Sequence, residues 1–202
     1  TSDDAGSIVV DAQTITIATT EQVSFDGETG DGTVTLTSPA GADTISYAPG
    51  ATIDAGNLQV ASLLPLSFEN LGASGAISVA DTSGTAVDTL VVNGTGGDDS
   101  VALDASGDIL LNSQLTISAP GANALTLDGL GGDDSITVDA TSLSGVTTVT
   151  ATGNLGTDSV QVLGSSGADT IGFTPTSSTD ASVTITGSAT TNIISSESVT
   201  ID

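Results

Sequence analysis

The chain has 202 residues, 25 of them acidic, with no lysine, arginine or histidine, so its formal charge at neutral pH is −25. No side-chain salt bridge can form, and DNA, RNA and anionic membrane surfaces are poor partners for such a polyanion. Cysteine is also absent, which excludes disulfides, thiolate nucleophiles and sulfur metal sites.

An apolar fraction of 37%, rich in Val, Ile and Leu, is enough to build a core, so the charge does not imply disorder. In chain order, TITIA at 14–18 is the first run of alternating apolar and polar residues. EQVSFD at 21–26 and TVTLT at 33–37 follow, and this period of two reads as half-buried strand. The longest apolar candidate, LQVASLLPL at 58–66, falls short of the ~20 residues of a membrane helix, so no membrane insertion is expected. SLLPLSFEN at 62–70 is the one seam in an otherwise continuous repetitive domain, residues 1–202. Further on come SITVD at 135–139 and SVTIT at 182–186, with Gly, Ser, Asp, Asn and Pro between the strands and no helical stripe longer than about two turns. The predicted class is all-β.

Five stretches share the form GxxGxD[ST][VI]: SPAGADTI (38–45, with Ser for the first Gly), GTGGDDSV (94–101), GLGGDDSI (129–136), GNLGTDSV (153–160) and GSSGADTI (164–171). A sixth, GETGDGTV at 27–34, has Gly32 in place of the aspartate. The shared acids are Asp43, Asp99, Asp134, Asp158 and Asp169, at intervals of 56, 35, 24 and 11. These approximate multiples of a unit of about 11–12 residues, the length of one strand and one turn. Glu begins EQVSFD, ENLGAS at 69–74 and ESVTID at 197–202, so a new unit starts where the sequence stops. The expectation is a segment of, or a subunit in, a longer assembly.

GTGGDDSVA and GLGGDDSIT resemble the nonapeptide of the haemolysin-type (RTX) calcium-binding repeats. The resemblance implies a parallel β-roll in which loop aspartates and carbonyls bind calcium and the residue after [ST] packs inside. It points to Asp99, Asp134, Asp158, Asp169 and Asp43 as ligands, with Val101, Ile136, Val160, Ile171 and Ile45 as core partners. The adjacent acids Asp98 and Asp133 join the set, because paired like charges without a cation are costly. The excess of 21 aspartates over 4 glutamates suits loop-borne oxygen ligation. Gly and Asp also favour tight turns with no metal at all, and that alternative stays open. The wider texture is similar to long β-solenoid segments of bacterial surface proteins and adhesins.

The architecture expected is a right-handed parallel β-solenoid (β-helix or β-roll), the alternative being tandem β-sandwich domains. With a rung of about 23 residues, Asp134 and Asp158 fall one rung apart on one corner, while Asp99 and Asp169 fall on the opposite corner. An enzyme is not expected, since there is no His, Cys, Lys or Arg to act as tuned base, thiol, amine or oxyanion clamp. The function expected is a structural protein outside the cell, in a surface layer, fibre or adhesin stalk, calcium-stabilised and polymerising end to end as a homo-oligomer. A calcium-dependent adhesin module binding glycans or other surface proteins is the competing reading. A minor one is an ice-binding solenoid, suggested by TxT pairs such as Thr148 and Thr150. NGT at 93–95 is a formal N-glycosylation sequon.

Overall fold

A computed structural model describes residues 6–10, 13–17, 22–81 and 88–202. Within them lie twenty strands and no helix. The N-terminal part holds β1 (Gly6–Val10), β2 (Gln13–Ile17), β3 (Val23–Asp26), β4 (Thr33–Ser38), β5 (Thr44–Pro49), β6 (Gly56–Val60), β7 (Leu66–Glu69) and β8 (Ala76–Asp81). The middle holds β9 (Thr89–Asn93), β10 (Ser100–Leu103), β11 (Asp108–Leu111), β12 (Ile117–Ser118), β13 (Ala124–Asp128) and β14 (Ser135–Asp139). The last six are β15 (Thr148–Thr152), β16 (Ser159–Leu163), β17 (Ile171–Pro175), β18 (Ala181–Ile185), β19 (Thr190–Ile194) and β20 (Ser198–Ile201).

Two large sheets share these strands. One has eight, in the order β20-β16-β14-β10-β11-β12-β8-β4, and the other ten, in the order β17-β18-β19-β15-β13-β9-β5-β6-β7-β3. From β13 to β16 the chain alternates between sheets, β13 pairing in parallel with β15 and β14 with β16. Alternation in the sequence drives this arrangement. In ALTLD, Leu125 and Leu127 are buried and the residues between face outward; SITVD buries Ile136 and Val138, and SVQVL buries Val160 and Val162. The parallel register stacks like on like, aligning Val101, Ile136, Val160 and Val199. One core cluster runs from Val34 to Ile193, and each fully buried Val, Leu or Ile contributes about 1.5–3 kcal/mol.

Three excursions break the two-strand rhythm. At the expected seam, β6 and β7 fold back antiparallel within the ten-stranded sheet and bury Leu58 and Phe68. Between β10 and β13, β11 and β12 fold back in the same way within the eight-stranded sheet. At the C-terminal end, β18 and β17 lie antiparallel beyond β19. Ile171, expected in the core, is 47% exposed there. Its strand is the outermost of its sheet and has no opposing layer, so both of its faces meet solvent.

Candidate functional site: a column of buried aspartates

Three of the five motif copies place their aspartate at the residue before a strand of the eight-stranded sheet, β10, β14 or β16. The parallel register aligns Ser100, Ser135, Ser159 and Ser198, so Asp99, Asp134, Asp158 and Glu197 stack one above another. The three aspartates are between 1% and 3% exposed. The register sets Asp134 beside Asp158 on one corner and corrects the position of Asp99, expected on the opposite one. The interval of 35 contains the β11–β12 excursion, which stays in one sheet, so Asp99 shares their corner instead of facing it.

Each carboxylate receives a backbone N–H from the preceding rung. The amide of Asp99 donates to Asp134 Oδ1 at 2.8 Å, that of Asp134 to Asp158 Oδ1 at 2.8 Å, and that of Asp158 to Glu197 Oε2 at 2.7 Å. In return the carbonyl of each acid accepts the next rung's serine N–H, from Ser135 (2.8 Å), Ser159 (2.9 Å) and Ser198 (3.1 Å). A second row runs the other way, with the Asp133 amide donating to Asp98 Oδ1 and the Thr157 amide to Asp133 Oδ1, both at 2.8 Å. The double aspartate is therefore a two-way clamp: its first side chain and its second amide both hold the next rung.

Both motif glycines follow from this stacking. A Cβ on Gly94 would lie 2.6 Å from Asp99 Oδ2, and one on Gly129 or Gly153 would run into the carboxylate of Asp134 or Asp158. The second glycines touch one another, so a Cβ on Gly132 would strike the backbone of Gly97, and one on Gly156 the carbonyl of Gly132.

The copies differ at the residue after the first glycine. Thr95 donates its N–H to Asp99 Oδ2 at 2.6 Å and its hydroxyl to the same carboxylate, as Ser165 does for Asp169. Leu130 and Asn154 occupy that place with left-handed φ of 69° and 71°, and Leu130 turns its N–H to Asp128 instead. The second oxygens of Asp134 and Asp158 are consequently buried without a hydrogen-bond partner. A leucine in that backbone region is strained by about 1–3 kcal/mol. Leu130→Gly is expected to raise the melting temperature, and Thr95→Ala to lower it through a loss of about 1 kcal/mol of stability; thermal melts of the two variants check both.

With no cation in the chain, burial pushes the Asp134 carboxyl upward; the Asp99 amide opposes this, and the charges of Asp158, Asp99 and Asp98 add to it. The column ends on two residues outside the motif. Asn112, at φ 52°, reaches Asp99 through its Nδ2 and takes the Ser100 N–H on its Oδ1. Glu197 closes the other end, and its signal was ESV standing where DSV stands in other rungs.

Asp43 belongs to a second corner. Its amide donates to Oδ1 of buried Asp88 at 2.9 Å, Ser38 donates to Oδ2 of Asp88 at 2.8 Å, and the Asp88 amide donates to Asn123 Oδ1 at 3.2 Å. Asp88 lies outside the motif, with Ser83 and Ala86 where the glycines stand and Leu90 in place of Val or Ile. Asp169 joins neither column, standing before the outermost strand β17.

Calcium takes about six to eight oxygen ligands. In the inner column, Oδ1 of Asp134 and Asp158 each accept an amide, and their Oδ2 atoms lie against glycine backbone. Exposed Asp98 and Asp133 keep one oxygen each outside these inter-rung bonds and open to a solvent cation. Compared with known proteins, the chain matches no family model, no curated protein and no solved structure.

Proposed function

We propose that the two sheets are the walls of a β-solenoid and that the protein is a non-enzymatic structural module outside the cell, in a fibre, surface layer or adhesin stalk. The observation that supports this most is the unbroken column from Asp99 to Glu197. Within it, each level is tied to the next by strand pairing and by a side-chain bond, which is what an element bearing load along its length requires. Open edges at β17 and β20, and at β3 and β4, suit assembly end to end. Calcium acts in this proposal on the outer row, Asp98 and Asp133. A calorimetric melt in excess EGTA and then in millimolar calcium is expected to rise more than in sodium of equal ionic strength; an equal rise would remove calcium from the proposal. Electron microscopy of purified protein is expected to show rods that lengthen with concentration. Compact particles retained on a glycan array would favour the adhesin instead.

The register also favours a second reading. It lines up Thr44, Thr89, Ala124, Thr148 and Thr190 on the outer face of the ten-stranded sheet, with Val91, Thr126, Thr150 and Asn192 beside them. A face of hydroxyls at strand spacing suits an ordered surface such as ice. Absence of thermal hysteresis would dismiss it.

A further inference from the structure

The two sheets end unevenly. Counting outward from β9 and β10 toward the C-terminal end, the ten-stranded sheet adds β13, β15, β19, β18 and β17, whereas the eight-stranded sheet adds only β14, β16 and β20. Toward the other end each sheet adds four. The overhang leaves Ile171 and Phe173 about half exposed, at 47% and 49%. Between it and β20 lies a groove of about 290 Å³, bordered by Phe173, Pro175, Ala181, Glu197 and Val199. β20 presents an unpaired edge along that groove. The deficit is two strands.

At the opposite end of the sequence, β1 and β2 form a two-stranded antiparallel sheet that joins no third strand among the described residues. An isolated hairpin is marginal in water. Its strands, GSIVV and QTITI, contain no acidic residue in a chain with 25. The register pairs Ile8 with Ile15 and Gly6 with Ile17, which puts apolar positions together on one face. Two uncharged strands, joined through Asp11 and Ala12, can approach an acidic end at less electrostatic cost than a segment with acids in its strands.

We infer that the β1–β2 hairpin of one copy adds to the β20 edge of a second copy, completing the short sheet and covering Ile171 and Phe173. This rests on the end-to-end reading and specifies its joint. The chain's own hairpin cannot reach. Five residues separate β2 from β3, a span of at most about 20 Å, while β3 lies at the far end of a ten-stranded sheet from β17, about 40 Å away at strand spacing. Association is thus head to tail and adds strands by edge pairing, main-chain bonds giving affinity and the groove giving register.

The absence of cysteine makes cross-linking clean. One full-length variant carries Thr200→Cys on β20, and its partner carries Ser7→Cys or, if that one folds poorly, Thr16→Cys; all are oxidised together at high salt. The expected product is a mixed disulfide dimer that dominates both homodimers, and sedimentation of Ile15→Pro is expected to show loss of the oligomers formed by the wild-type chain. If Thr200→Cys instead links to a partner carrying Thr35→Cys on β4, with no product through the hairpin, stacking stands and strand donation is overturned. Monomer at every concentration overturns both.

Discussion

Replacing Gly156 by alanine is expected to lower the stability of the protein by roughly 3 kcal/mol, as overpacking and backbone strain add at one position. Gly156 has φ +145°, and a Cβ there would enter the carbonyl of Gly132 in the preceding rung. Neither side can yield, because the obstacle is backbone held by strand pairing on both flanks. For a chain of this size the melting temperature should fall by about 10 °C. Gly96→Ala is the control: it has open space around it and no left-handed φ, so it should be neutral or slightly stabilising. Equal melting of the two variants would mean that the rungs do not touch at their glycines.

The second large effect separates hydrogen bonding from charge at Asp134. Asp134→Ala leaves the buried amide of Asp99 without an acceptor, at a cost of about 1–3 kcal/mol. Asp134→Asn keeps a carbonyl oxygen at the same place and removes a buried negative charge that has no cation to balance it. Burial, with the neighbouring charges of Asp158, Asp99 and Asp98, raises the Asp134 carboxyl above its ordinary value in the fold. A raised acid contributes stability that is fully present below its unfolded value and is lost as pH rises through the folded one. The wild-type protein therefore loses that contribution between acid and neutral pH, and the asparagine variant does not. Melting temperatures at pH 4 and pH 7 should show the asparagine variant gaining on wild type as pH rises, with the alanine variant below it at pH 7. Asp180 works in the opposite sense. The Ser195 amide and the Ser177 hydroxyl lower its carboxyl, so its contribution is present above the unfolded value and fades as pH falls through the folded one.

Alternation in the sequence made the strands legible, and GxxGxD marked the corner where they stack. Spacing alone misplaced Asp99, because an interval of 35 does not say whether the extra unit crosses to the other sheet or doubles back. The β11–β12 excursion doubles back, and its signal is Asn112 in a left-handed turn, a residue outside any repeat. Ile171 follows the same local pattern as Ile136, yet lies exposed, since burial depends on what the opposing sheet supplies and not on the strand itself. The motif's aspartates were legible as a set and their partners were not. A carboxylate facing an amide one rung away leaves no trace in local sequence, whereas a calcium loop and a backbone clamp favour the same Gly and Asp. The difference between Thr95 and Leu130, two residues at one motif position, carries the finer information on which carboxylates are fully satisfied.

Amide hydrogen exchange at Asp99, Asp134 and Asp158, measured in excess EGTA and again in calcium at matched ionic strength, tests most directly whether the column is a hydrogen-bonded staple. Strong and equal protection of all three amides in both conditions is the expected result. Protection that appears only with calcium would contradict it, because the carboxylates would then be holding an ion and not the chain.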